Sequence, residues 1–339
     1  MSGGLTLILD RRDLSVSVEN KALRIDYADG AFKRVPLAVL GSVVVYGSPS
    51  VRCDVWRALA DSAVPVALMP ARGKGEVCWL GSGLSSFVHW RARQYRAYQE
   101  LGRRLVLARW MVREKLAAGC DLLQRLGIGQ ECSAILTQCQ QDTALARDNA
   151  ALMGVEGRAA KAWYAWLRSQ MAPHWMFESR NRRPPRDPVN AMLSLGYTLA
   201  LGVVHRQACA AGFDPYLGFL HEVAPARPGL SLDLMEALRP GVDLFVLRLL
   251  DGQVTPADFT LSDHEGCRLS KEARSRFYGA WRLWCDQWPA RARQAEQPGE
   301  TADDQVAEEQ SIDTAARGVV NDFQKVLGRS EEENPWAIS

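Results

Sequence analysis

The side chains best suited to chemistry in this chain of 339 residues lie between Gly212 and Arg239. His221 closes a loop rich in glycine and proline that runs through Asp214, Pro215 and Gly218. Asp233 and Glu236 follow at i, i+3 in a segment with helical spacing of Leu234, Met235 and Leu238. That spacing puts the two acids on one helix face with Cβ atoms about 5–6 Å apart. Two carboxylates on a rigid helix beside a loop imidazole suit a hard divalent cation, Mg2+ or Mn2+, in phosphoryl transfer. The same spacing equally describes an aspartate favoured by the helix dipole in a first turn, a solvent-facing glutamate and a core histidine. A further carboxylate, Glu156, stands between Gly154 and Gly157. Two poor helix formers around one acid imply either close backbone approach by another group or a loose helix start.

Cations interleave with aromatics along Trp90, Arg91, Arg93, Tyr95, Arg96, Tyr98, Arg103, Arg104, Arg109, Trp110 and Arg113. Four more arginines, Arg180, Arg182, Arg183 and Arg186, surround Pro184-Pro185, and Lys271, Arg274, Arg276 and Arg282 form another set. Guanidinium groups grip phosphates and aromatic rings stack on unpaired bases, although a long helix with a charged face and an aromatic core looks the same. Gly73-Lys74-Gly75 is no phosphate loop, because no Ser or Thr follows the lysine. The esterase elbow, the dinucleotide fingerprint and the paired-histidine zinc motif are all absent.

The elements that must position these residues fall into two kinds. Residues 1–82 alternate as short strands, with Asp29-Gly30 as a hairpin signal between Ile25–Tyr27 and Phe32–Val35, and one helix within Ser50–Ser62. A hinge is expected at Gly81-Ser82-Gly83. From there the period is helical: Leu84–Ala118, Gln130–Asn149, Gly154–Met171, Pro188–Ala211, Ser231–Leu250 and Ser270–Ala290. The fold class is α+β: a β-rich domain of two packed sheets (1–82), an all-α catalytic domain (83–295) and an acidic tail (296–339). The tail is expected to be mostly disordered, with one short amphipathic helix through Ile312, Ala316, Val319, Val320, Phe323 and Leu327.

The net charge of +2 conceals an asymmetry, since the tail carries eleven acids and three bases and leaves +10 on the body. A basic body suits a polyanion. No window approaches the roughly 18 apolar residues of a membrane span, and the opening Leu5–Leu9 run is too short for a signal peptide, so a cytoplasmic protein is expected. The eight cysteines show no C-x-x-C spacing and read as buried free thiols.

Several segments, in consistent order, resemble one family. Arg182-Arg183-Pro184-Pro185-Arg186-Asp187-Pro188-Val189-Asn190 through Leu199 is similar to the signature of the CRISPR-associated integrase, CRISPR-associated protein one. Asp214–Glu222 resembles its histidine motif, Ser231–Glu236 its acidic helix and Met153–Gly157 its glutamate motif. Leu9–Arg12, Val35–Leu37 and Leu261–Arg276 also resemble the family, so the resemblance covers about residues 4–290. It implies an N-terminal domain that dimerises and a helical catalytic domain. It implies three metal ligands, Glu156, His221 and Glu236, with Asp233 beside them; because some members use Asp as the third ligand, Asp233 stays open and Glu236 is preferred. It implies Mg2+ or Mn2+ as cofactor and double-stranded DNA, both prespacer and CRISPR repeat, as substrate. It also implies two dimers bridged by a dimer of CRISPR-associated protein two. The reaction implied is spacer integration, attack of a DNA 3′-hydroxyl on a phosphodiester at the repeat edge. The alternatives are a metal-dependent endonuclease on branched or single-stranded DNA and a non-catalytic DNA-binding scaffold. Of the arginines, the 180–186 loop is the nearest to the signature and the expected DNA contact.

Overall fold

The computed structural model describes residues 5–62, 64–69, 78–80, 88–181, 184–225, 227–262, 266–289 and 309–329. The expected hinge at 81–83, Gly73–Gly75, Arg182, Arg183 and the tail at 296–308 and 330–339 lie outside them.

The first part is strand-rich. Strands β1 (Leu5–Leu9), β2 (Ser15–Glu19), β3 (Ala22–Asp26), β4 (Phe32–Pro36), β5 (Leu40–Val45) and β6 (Ser50–Val51) precede helix α1 (Cys53–Asp61). Strands β7 (Val66–Leu68) and β8 (Cys78–Leu80) follow it. They form two four-stranded sheets, in the orders β1-β5-β7-β8 and β4-β3-β2-β6. The hairpin at Asp29-Gly30 forms as its residues require: Gly30 takes φ +84° and the Ala31 amide donates to Asp29 Oδ1 at 3.0 Å. The two sheets and α1 share one buried core that includes Leu9, Val16, Leu23, Val43 and, from α1, Val55. β5 is buried along its whole length because its other face is covered too: Val44, with Ala67 of β7, belongs to the core of the helical domain.

The helices are α2 (Val88–Gln99), α3 (Leu101–Leu126), α4 (Gln130–Asp142), α5 (Asn149–Ser169), α6 (Pro188–Ala210), α7 (Gly229–Met235), α8 (Arg239–Leu250), α9 (Lys271–Asp286) and α10 (Ile312–Gly328). The segment read as one helix from Leu84 is two: Glu100 is extended (ψ 105°), and α3 then runs on to Gly127, whose left-handed φ of +65° ends it. α5 begins at Asn149 rather than Gly154, because Asp148 caps it by accepting from the Ala151 amide at 2.7 Å. The second domain is not purely helical. Strands β9 (Phe259–Ser262) and β10 (Gly266–Leu269) form an antiparallel hairpin between α8 and α9, and β11 (Trp288–Pro289) pairs with β12 (Glu309–Gln310).

α6 is the hub, buried nearly end to end, so its sequence shows little amphipathic contrast. α10 packs against it, with Phe323 fully buried and stacked edge-on to Phe213 at 4.9 Å between centroids. Arg103 of α3 donates to the carbonyls of Val326 (3.0 Å) and Leu327 (3.0 Å), satisfying the C-terminal end of α10, and Arg206 of α6 pairs with Asp313 at its start. Residues 312–328 of the expected tail are thus part of the helical body. Their apolar stripe is long enough to bury, and within the acidic tail their own charges balance: Asp313 and Asp322 against Arg317 and Lys325. Among the described residues no helix is long and apolar enough to cross a membrane.

Candidate active site

α6 ends at Ala210, and the loop after it returns to α7 carrying His221. Asp233 of α7 holds that loop. Its Oδ2 accepts from the amides of Phe219 (2.6 Å) and Leu220 (3.0 Å), and its Oδ1 from the amide of His221 (3.2 Å). The same Oδ1 lies 2.6 Å from His221 Nδ1. Gly218 makes the close approach possible: a Cβ there would lie 2.6 Å from Asp233 Oδ2 and 2.6 Å from the Gly229 backbone. Asp233 is 1% exposed, so its oxygens need these donors.

Glu236 stands one turn on, in a 3-10 segment (Glu236–Leu238) between α7 and α8, and faces different partners. Arg239 Nε donates to its Oε1 at 2.8 Å, and Lys115 Nζ of α3 lies 2.7 Å from its Oε2. Lys115 meets this buried oxygen as an ion-pair partner rather than as a well-aligned donor. The Lys115 ammonium also pairs with Glu156 of α5. One cation therefore joins two of the expected ligand carboxylates across residues 115, 156 and 236. Burial pushes the Glu236 carboxyl up, but Arg239, Lys115 and His221 outweigh it and hold it at about 2. Burial likewise pulls the Lys115 ammonium down, and Glu236 and Glu156 override that and raise it.

Behind this pair runs a buried polar chain. Arg239 lies over the Tyr197 ring at 4.6 Å, Tyr197 donates to Asp243, and Trp163 Nε1 donates to Asp243 Oδ2 at 2.7 Å. A cavity of about 30 Å³ lies alongside, lined by Lys115, Trp163, Tyr164, Arg239 and Asp243 among others.

The structure brings Glu156 and Glu236 together through Lys115 and pairs His221 with Asp233, but it does not gather all the expected ligands. Among the described residues no three His, Cys, Asp or Glu side chains are close enough to hold one metal ion. Asp233 and Glu236, read as presenting one face to one cation, engage separate neighbours. Neither is solvent-facing, so the reading of a dipole-favoured Asp and an exposed Glu does not hold either. The donor chemistry nonetheless fits a divalent cation. Two hard carboxylates already converge on one positive charge, and Glu236 Oε2 lacks a directed donor. The Asp233–His221 contact at Nδ1 leaves Nε2 as the nitrogen for a ligand, the usual carboxylate–histidine arrangement beside a metal.

Among the described residues the glycines flanking Glu156 meet no close neighbour: a Cβ at Gly154 or Gly157 finds nothing within 4 Å. The arginine loop is anchored to the helical domain at one end. Arg180 is half-buried and donates to Asn190 Oδ1 (2.6 Å) and Ser194 Oγ (2.9 Å), so its guanidinium ties the loop to α6. Asp187 caps α6 through the Asn190 amide (2.8 Å), and fully buried Asn190 donates to Ser179 O (2.9 Å) and Asp187 Oδ2 (2.7 Å). Arg186 is exposed. In the basic-aromatic segment Arg91, Arg103 and Arg109 are buried, and Arg109 donates to the Ala146 carbonyl.

Lys115 and Arg239 are the residues that sequence reasoning missed. Arg239 had a signal, its i, i+3 spacing from Glu236. Lys115 had a subtler one: it falls on the buried stripe of α3, with Ala108, Met111, Val112, Gly119 and Leu122, where a lysine is out of place unless paired.

A family model described as CRISPR associated protein Cas1 matches residues 7–282. The chain is 34% identical over 283 residues to a CRISPR-associated endonuclease Cas1 of Thermus thermophilus, covering 82% of this chain and 83% of that protein. Among solved structures, a Cas1 protein from Thermotoga maritima superposes with TM-score 0.79 at 20% identity, covering 95% of this chain and 97% of the other. A casposase bound to integration product gives 0.78 at 18% identity, over 98% and 94% of the two chains. A Cas6-RT-Cas1–Cas2 complex gives 0.76 at 21% identity, covering 99% of this chain and 36% of the larger one.

Proposed function

The chain belongs to the CRISPR-associated Cas1 family, and from that premise we propose that it is a metal-dependent DNA integrase acting in CRISPR adaptation. It inserts short duplexes at the edge of a CRISPR repeat by transesterification from a DNA 3′-hydroxyl. The observation that carries this reading is the convergence of Glu156 and Glu236 on one cation beside a His221 braced by Asp233. Glu156, His221 and Glu236 would hold Mg2+ or Mn2+; Asp233 has both oxygens committed to the loop, which favours Glu236 as the third ligand. The bound cation supplies positive charge where negative charge builds on the scissile phosphate.

The protein's own part is placement. Asp233 fixes the tautomer and direction of His221, so that Nδ1 faces inward. Arg239 orients Glu236 through Oε1 and leaves Oε2 turned toward Glu156 and Lys115. Exposed Arg186 offers charge to the duplex beside the signature loop. Double-stranded DNA, a second copy through the strand-rich domain, and a bridging dimer of CRISPR-associated protein two complete the assembly. A structural relative contains Cas2 and another holds an integration product, which agrees with DNA and CRISPR-associated protein two as partners.

A strand-transfer assay tests the reading. The protein and its bridging partner are mixed with a labelled duplex and a supercoiled plasmid bearing the repeat, with Mg2+, Mn2+ or EDTA. Label should enter the plasmid only with metal, and Glu156→Ala, His221→Ala and Glu236→Ala should each lower joining by about a hundredfold or more. Metal-dependent cutting without joining would favour an endonuclease, the word carried by the Thermus thermophilus relative's name. Activity untouched by every substitution would leave a DNA-binding scaffold.

A further inference from the structure

We propose that Lys115 is the resident counter-ion of this site: its ammonium stands in for the divalent cation between Glu156 and Glu236, and competes with it. The inference rests on the metal-centre reading above and concerns how that centre fills. Lys115 Nζ contacts both carboxylates, Glu156 directly and Glu236 Oε2 at 2.7 Å. Arg239 Nε contacts the other Glu236 oxygen at 2.8 Å. Two negative and two positive side chains thus balance as the protein stands. Adding a dication to that set without moving Lys115 would place three cationic centres around two carboxylates in a largely buried site, at a heavy electrostatic cost.

The geometry also shows which cation gives way. Arg239 is held from two sides, by Glu236 and by the face of Tyr197 at 4.6 Å, and it is 6% exposed. Among the described residues Lys115 is ion-paired with the two carboxylates a metal would claim, and its side chain is 19% exposed. An ammonium on a four-carbon stem moves more readily than a stacked guanidinium. The cavity of about 30 Å³ beside Lys115 has a mainly apolar wall, with Leu116, Ala159 and Trp163, which gives the four-carbon stem room to swing. Without metal, Lys115 keeps two acids from repelling each other. When metal arrives, Lys115 sets the concentration that it must reach.

The test is Mn2+ binding to the full chain, stripped with EDTA and followed by the electron paramagnetic resonance signal of free Mn2+, alongside thermal unfolding in EDTA and in Mn2+. Lys115→Met keeps the stem and removes the charge. It should melt lower than wild type in EDTA, bind Mn2+ about tenfold more tightly, and gain more from Mn2+ in melting temperature. Lys115→Arg, whose charge is harder to displace, should bind Mn2+ more weakly than wild type. Wild type that binds Mn2+ through Glu156, with Lys115→Met binding no tighter, overturns the counter-ion role and leaves the metal centre standing. Mn2+ bound by Lys115→Met but not by wild type supports the role in its strongest form. No binding to either protein overturns both readings. If Lys115→Met folds only with Mn2+, the counter-ion role is supported; if it does not fold at all, Lys115→Arg with unchanged affinity overturns it.

Discussion

Both oxygens of Asp233 face N–H donors, so an amide in its place must turn its NH2 toward one of them. Asp233→Asn should therefore lose roughly 1–3 kcal/mol of stability, measured by urea unfolding, from a buried donor facing a donor. On the proposed reading, in which Asp233 braces a ligand rather than being one, the variant should still bind Mn2+, weakened about 10–100-fold. Glu236→Gln should abolish binding. The reverse order in a Mn2+ titration would make Asp233 the ligand and reassign the centre. This division of labour was half legible. The i, i+3 spacing marked both acids, but which oxygen meets which donor depends on a loop whose His221 lies twelve residues before Asp233.

At the scale of elements, α10 is the piece whose importance most exceeds its sequence signal. Phe323 packs on Phe213 (4.9 Å), Phe219 (5.9 Å) and Trp110 (5.9 Å). Phe219 is one of the three residues whose amides Asp233 holds, so α10 backs the loop that carries His221. Phe323→Ala should cost roughly 3–5 kcal/mol in chemical denaturation and loosen amide exchange in residues 213–221 as well as in α10. Unchanged protection there would show that α10 is an ornament on the fold rather than part of its core. The amphipathic spacing of 312–327 announced a helix, and the buried face confirms the residues on it. The spacing carried no information about its partner, because an apolar stripe does not encode what covers it.

Over the whole molecule, burial and charge set the response to pH. His205 of α6 is 4% exposed, and burial pulls its imidazole down to about 4. Its folded value lies below the ordinary one, so the stability it contributes is complete above about pH 6.5 and is lost as pH falls toward 4, when the unfolded chain takes the proton first. Asp243 runs the other way: burial pushes its carboxyl up to about 6 against the Tyr197 and Trp163 donors, so its contribution is lost as pH rises through 6. The clean measurement is a difference. The stability gap between wild type and His205→Asn should shrink by up to roughly 3 kcal/mol from pH 6.5 to pH 4. A gap that stays flat would mean that His205 titrates alike in both states.

What the sequence determined by itself was local and periodic. Alternation gave the strands and the Asp29-Gly30 hairpin, 3.6-residue spacing gave the helices, and ordered motifs marked Glu156, His221, Asp233 and Glu236 along with the family they belong to. These follow from neighbours a few residues apart. What only the tertiary structure decided was which charges meet: Lys115 between Glu156 and Glu236, Arg180 turned onto α6, Arg103 on the end of α10. A charge has no period, and its partner is chosen by the packing of helices that lie far apart in the chain. In a buried site each cation must find an anion wherever the fold places one.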